Sequence, residues 1–362
     1  MADLVTSNIE NLKPYEPGKP IEELERELGI RDSVKLASNE NPLGPSPRAS
    51  QAIRDLADSV HFYPDGGAYR LRHALAEKLG VQPEEIVVGN GSNEVLTIAA
   101  RTFSTPRDAA VVADYSFIAY RLILAAHGVE TRIVPTGSRF EQDLDQMAAA
   151  CDERTRILYL ANPNNPTGVQ HGGAEMRAFL AAVPAHVVVV VDEAYVEYVQ
   201  DPQYASALEM RDVRERLIVC RTFSKIHGLA GLRIGYGVAV PPLVDYMNRV
   251  REPFNTNLIA QAAALAALED SEHVERSVAS NEAGRRMLGS ALRDLGWDAI
   301  GSRANFLLVR GPVSGREVYE RLLRREVIVR PVAGYGLPDW VRITVGTRAQ
   351  NDRLLDALRE VR

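Results

Sequence analysis

Val187-Val188-Val189-Val190-Val191-Asp192-Glu193-Ala194-Tyr195 decides how the surrounding sequence folds. Five consecutive valines are apolar on both faces, the pattern of a strand covered above and below rather than half exposed to water. The run stops abruptly at two carboxylates. Asp192 therefore stands at the end of a buried strand, where an isolated charge is costly unless something pairs with it. A protonated ring nitrogen would be such a partner. An arginine, or a turn that the carboxylate caps, would serve as well.

On either side of the valines, short apolar runs alternate with amphipathic stretches. Strands are expected at residues 86–88, 110–113, 156–160, 187–191, 217–220 and 234–240, and helices at 92–103, 117–127 and 174–182. Strands joined by crossover helices form a mostly parallel sheet, so the fold class is α/β. Residues 258–278 are rich in Ala and Leu with a helical period and read as one helix leading into a smaller α+β part. Residues 14–20 and 39–47 are rich in Pro and Gly or Asn and read as extended chain. A chain of 362 residues is long for one core. The expected division is a large domain at 48–265, with residues 1–47 and 266–362 forming an N-terminal arm and a small domain.

Composition excludes several classes. A formal net charge of -6 argues against a surface built for nucleic-acid phosphates, and the basic run at 321–325 reads as the solvated face of a helix. The two cysteines, Cys151 and Cys220, form no C-x-x-C or Cys/His cluster, so neither a disulfide framework nor a metal site is expected. The first residues lack the basic start and apolar run of a signal peptide, and nothing approaches the ~20 apolar residues that span a bilayer. A cytoplasmic protein without a membrane partner is the expectation.

Three further segments carry chemistry. Val88-Gly89-Asn90-Gly91-Ser92-Asn93 passes from a strand through two glycines into a helix. Such a junction offers unpaired amides and a partial positive charge to an anion, although many Gly-Ser turns only cap helices. Asn162-Pro163-Asn164-Asn165-Pro166-Thr167-Gly168 is a proline-framed loop at the carboxyl end of a strand, where open α/β sheets place ligand groups. Arg221-Thr222-Phe223-Ser224-Lys225 follows another strand, with Arg233 eight positions after the lysine. A lysine partly removed from water and close to positive charge loses pKa and becomes a nucleophile toward carbonyl carbons. Thr222, Ser224 and Arg233 can face one phosphate.

These segments, together with Gly228 to Arg233 and the ending Val341-Arg342-Ile343-Thr344-Val345-Gly346-Thr347, resemble the fold-type I pyridoxal-phosphate enzymes. Within them the chain is similar to the class I/II aminotransferases, and among these to the histidinol-phosphate aminotransferase family. The resemblance implies pyridoxal 5'-phosphate held as a Schiff base on Lys225, which also shuttles a proton. It implies Asp192 on the pyridine nitrogen, Asn165 and Tyr195 on the ring oxygen, and Phe117 stacked on the ring. The phosphate falls to Ser92, Asn93, Thr222, Ser224 and Arg233. Tyr63 would reach the cofactor phosphate of the neighbouring subunit, making the unit a homodimer. Arg342 matches an arginine that grips an α-carboxylate, Arg330 one that helps bind a substrate phosphate, and Tyr15, Asn39 and Tyr120 are candidate wall residues.

Two positions depart from the pattern: Tyr115 stands where many relatives have proline, and His227 replaces a common aromatic. They leave the cofactor reading intact and weaken that of the substrate. The expected reaction carries the amino group of L-histidinol phosphate to 2-oxoglutarate, a small-molecule donor and a 2-oxo acid acceptor, as in histidine biosynthesis. An aromatic amino acid aminotransferase is the alternative, because an arginine pair that accepts phosphate also accepts carboxylate. A threonine-phosphate decarboxylase, a lyase, shares most cofactor motifs. A regulator with an aminotransferase-like domain would carry a DNA-binding domain, for which the residues before Tyr63 leave no room.

Overall fold

The valine run forms the middle strand of a seven-stranded sheet. The structure, a computed structural model, describes residues 5–10, 12, 14, 26, 29 and 32–361. Its strands in chain order are β1 (Val34–Lys35), β2 (Ile86–Gly89), β3 (Ala109–Ala113), β4 (Glu130–Val134), β5 (Thr155–Ala161), β6 (Val188–Asp192), β7 (Leu217–Thr222), β8 (Gly235–Val238), β9 (Asp298–Ala299), β10 (Phe306–Arg310), β11 (Val327–Ile328), β12 (Arg330–Val332) and β13 (Leu337–Thr344). The large sheet runs β2-β8-β7-β6-β5-β3-β4, with β8 antiparallel to both of its neighbours and the other pairings parallel.

Alternation along β6 divides the valines between two cores, as a period of two residues requires. Val188 and Val190 pack with Leu96, Tyr120 and Met247 on one face. Val187, Val189 and Val191 pack with Met147, Met176 and Phe179 on the other. Helices cover both faces, which is why no polar residue interrupts the run. Register then sets the site: Asp192 lies opposite Ala161 of β5 and Cys220 of β7.

The C-terminal third builds a four-stranded sheet, β12-β13-β10-β9, and a parallel pair of β1 with β11. Leu36, just after β1, packs into the core formed by Leu307, Val329, Ile343 and Leu354. The N-terminal segment is thereby tied to the C-terminal part.

Two local readings change. The stretch read as one helix is two, Leu258–Leu268 and Ser271–Asp294, because the Asp270 carboxylate accepts from the His273 amide and starts a new helix. β4 escaped notice because three of its five residues are polar and only Val134 is buried, leaving no apolar run to see. Residues 15–20 of the expected extended segment lie outside the described residues. Among the described residues no helix is long and apolar enough to cross a membrane.

Gly228, three residues after Lys225, has φ +67°, and a Cβ there would sit 2.2 Å from the carbonyl oxygen of Gly44. Gly228→Ala is expected to lower stability by about 2 kcal/mol or more. Gly231→Ala, where an added Cβ meets nothing within 4 Å, should leave the urea midpoint nearly unchanged.

Candidate active site

The carboxyl ends of β5, β6 and β7 and the β2 turn open into one cavity of about 250 Å³. Its floor is Asp192, its walls include Phe117, Asn165 and Tyr195, and Lys225 projects into it.

At one end Ser92, Asn93, Thr222, Ser224 and Arg233 gather around the Gly91 turn. The turn needs glycine: its φ is +79°, and a Cβ would lie 2.5 Å from the Arg233 guanidinium. A Cβ on Gly235 would meet the Ser92 amide nitrogen at 2.4 Å. The first amides of the helix Ser92–Phe103 thus lie beside a guanidinium, which itself donates to Ser224 Oγ at 3.3 Å. Arg233 forms no ion pair among the described residues. Hydroxyls, a helix N-terminus and an unneutralised arginine make a donor set for a phosphate dianion.

Asp192 is buried, and each of its oxygens has a donor: the Ala194 amide at 3.1 Å and the Tyr120 phenol at 2.9 Å. No cation pairs with it among the described residues. Burial raises its carboxyl to about 6, against the lowering pull of Tyr120, the Ala194 amide and Lys225. Such a group fits a cationic ring nitrogen. Lys225 Nζ donates to the Ser38 carbonyl at 3.2 Å. Burial first, then Arg342 and Arg233, pushes its amine down to about 8, while Glu40 and Asp192 pull it upward. Tyr195 accepts a hydrogen bond from Asn39 Nδ2 at 2.9 Å, so its own proton is free to be donated. Burial pushes that phenol up to about 12, which keeps it protonated.

Arg342 is buried and reaches from β13 to Asn165 Oδ1, 2.6 Å away, and to the Ala37 carbonyl at 2.8 Å. Its Nε is buried without a hydrogen-bond partner among the described residues. A buried donor left unpaired is costly, and a ligand carboxylate would satisfy it. Arg330 lies directly opposite Arg342 in the antiparallel pair of β12 with β13.

Of the expected wall residues, Asn39 takes a positive φ of 56° and holds Tyr195 in place. Tyr120 is not on the wall: it is fully buried behind Asp192, because the face of its helix that carries it packs into the core. Tyr15 lies outside the described residues. Tyr63 is 82% exposed and stacks on Phe254 at 4.8 Å, away from its own chain's cavity. His227 packs against Phe223, and burial holds its imidazole down to about 3, which favours the neutral form.

The sequence matches the family Aminotransferase class I and II over residues 31–358. The chain belongs to this family. A histidinol-phosphate aminotransferase from Anaeromyxobacter sp. (strain Fw109-5) is 51% identical over 356 residues, 98% of each chain. Histidinol-phosphate aminotransferase 1 from Nitrosococcus oceani is 50% identical, covering 99% of this chain and 96% of its own. The histidinol-phosphate aminotransferase of Sinorhizobium meliloti, solved in complex with pyridoxal-5'-phosphate, superimposes with a TM-score of 0.90 at 30% identity. That match covers 99% of this chain and 97% of that one.

In this aminotransferase, the sequence pointed to Asn39 but not to its neighbours Ser38 and Glu40, which line the cavity wall beside Lys225. Sequence reasoning also missed the pair behind the site: Glu193 accepts from Arg221 Nη2 at 2.8 Å, from Ser206 Oγ and from the Ala207 amide. The available signal was two charges at adjacent strand ends, each beside a predicted ligand residue. Glu193→Ala would strand a buried guanidinium and should cost about 3–5 kcal/mol, read as a lower urea midpoint. The lowered amine of Lys225 gives a second expectation. Its reductive methylation should rise with pH around a midpoint near 8 rather than the ordinary 10.5, as mass mapping at Lys225 would show.

Proposed function

We propose that this chain is a pyridoxal-phosphate-dependent enzyme that transfers the amino group of L-histidinol phosphate to 2-oxoglutarate, giving imidazole acetol phosphate and L-glutamate. The relatives above, half identical over nearly the whole length, support this reading most. The two arginines at opposed positions of β12 and β13 support it from the chain's own chemistry. Two positive side chains on one face of an antiparallel pair make a local positive field that draws an anionic group.

Bound, the cofactor supplies an electron-withdrawing ring that stabilises negative charge at the substrate α-carbon. The residues divide the remaining work. Ser92, Asn93, Thr222, Ser224 and Arg233 bind the phosphate. Asp192 holds a proton at the ring nitrogen, Tyr195 and the Asn165 amide donate to the ring oxygen, and Phe117 covers one face. Lys225 Nζ would hold the cofactor covalently, and its amine would take the proton from the substrate α-carbon and deliver it to the cofactor's C4′ carbon. Arg342 orients the α-carboxylate of glutamate, and Arg330 takes the phosphate of the donor.

The division into a large unit at 48–265 and a smaller one from 1–47 and 266–362 belongs to the same proposal. The small unit's sheet carries both arginines, while the large one carries Asp192 and Lys225. Exposed Tyr63 and Phe254, with Phe62 and Val60 beside them in sequence, support a homodimer in which Tyr63 enters the neighbour's site. Two free cysteines suit a cytoplasmic enzyme.

Steady-state kinetics with both donors tests the substrate. L-histidinol phosphate should give the higher kcat/KM, and a much higher value for phenylalanine would overturn the assignment. Carbon dioxide released in place of glutamate formed would mean a decarboxylase. Lys225→Ala should lose turnover by about 100-fold or more together with the covalent cofactor band. Mixing Lys225→Ala subunits with Tyr63→Ala subunits should recover activity, because a hybrid dimer with Tyr63 acting across the interface contains one intact site.

A further inference from the structure

Tyr120 touches two residues of the proposed cofactor site without lining the cavity itself. Its hydroxyl donates to Asp192 Oδ2 at 2.9 Å, and its ring meets Phe117 edge-on, with centroids 5.6 Å apart. Tyr159 stacks behind it at 5.0 Å and 10°, which fixes the plane of the Tyr120 ring. Tyr120 is fully buried and Asp192 is 5% exposed, so no water competes for this bond. Only one other donor serves Asp192 among the described residues, the Ala194 amide on Oδ1.

We propose that Tyr120 is a positioning residue for the cofactor, its phenol bonding Asp192 from the side away from the cavity and holding that carboxylate charged and turned toward the ring nitrogen. The inference rests on the cofactor reading above. A hydrogen bond to a carboxylate stabilises the charged form, and it does so most where burial has removed water. Without the phenol, Asp192 becomes the stronger base and draws the shared proton from the ring nitrogen toward itself. The ring then withdraws electrons less well, although no group that touches it has changed.

The test uses the full chain loaded with pyridoxal phosphate carrying a 15N ring nitrogen. Tyr120→Phe keeps the ring, its stack on Tyr159 and its edge on Phe117, and removes one oxygen. The 15N resonance should move toward that of an unprotonated pyridine, the cofactor dissociation constant should rise about tenfold, and kcat should fall more than KM changes. Tyr159→Phe is the control, since that phenol donates to the Leu96 carbonyl at 2.8 Å and not to Asp192. An unchanged 15N shift and cofactor affinity in Tyr120→Phe would overturn the proposal, as would an equal shift in Tyr159→Phe. Should Tyr120→Phe fail to fold, the unaltered chain decides. Exchanging the cofactor for an analogue with carbon in place of the ring nitrogen should shift the Tyr120 ring 13Cζ resonance, and a resonance that stays put counts against the bond. A chain that binds no pyridoxal phosphate would instead overturn the cofactor reading itself.

Discussion

A carboxylate at the end of a strand buried on both faces sets the terms for the rest of the molecule. Asp192 is carried into the interior because β6 is the central strand of its sheet, and central position follows from valines that must be covered on both sides. Once there, the charge cannot rely on water. The chain supplies donors from within the fold, the Tyr120 phenol and the Ala194 amide, and leaves the cavity side open to a cation. Parallel register then brings Ala161 and Cys220 level with it, so the loops that follow β5 and β7 open onto the same space. Asn165 and Lys225 reach the cavity from those loops and not from the sheet.

Asp192 and Glu193 show how neighbouring acids acquire different work. Alternation sends them to opposite sides of the strand end. Glu193 meets Arg221, Ser206 and the Ala207 amide, so its charge is answered within the protein. That pair also fastens the end of β6 to the end of β7, where Thr222 stands next to Arg221. Asp192 meets neutral donors alone and keeps its need for a cation. One acid stiffens the frame and the other is available to a ligand; the difference lies in their partners, since both are equally removed from water.

The sheet was legible in the sequence where burial is two-sided, because the apolar runs of β2, β3, β5, β6 and β7 have no other reading. β4 was not, since three of its five residues are polar and only Val134 is buried. The break at Asp270 was overlooked because a helical period continues through it, and only the capping hydrogen bond marks the new start. That Ser92, Asn165, Asp192, Thr222, Ser224, Lys225 and Arg233 line one cavity could be anticipated from short motifs, each a backbone turn with its polar side chains in fixed order. Tyr120 and Asn39 could not. Their roles depend on which way a helix face or a left-handed residue turns in three dimensions, and a tyrosine beside a predicted site looks the same whether it faces ligand or core.

The opposed arginines raise the same question of partners in a different form. Arg342 gives one nitrogen to Asn165 Oδ1 and another to the Ala37 carbonyl, and it lies over the Phe306 ring at 5.4 Å. These contacts hold the guanidinium in place, and among the described residues none neutralises it and Nε remains buried and unpaired. Asn165 gives its oxygen to Arg342 and also lines the cavity, so its amide is left free for another partner. A carboxylate arriving at Arg342 would thus find the guanidinium already oriented, and the same contact fixes Asn165, the residue proposed for the cofactor ring. On the proposed assignment, substrate binding and cofactor binding would share one hydrogen bond, 2.6 Å long, between β13 of the small sheet and the proline-framed loop after β5. Such preorganisation is how a site keeps a buried cation ready without collapsing around it.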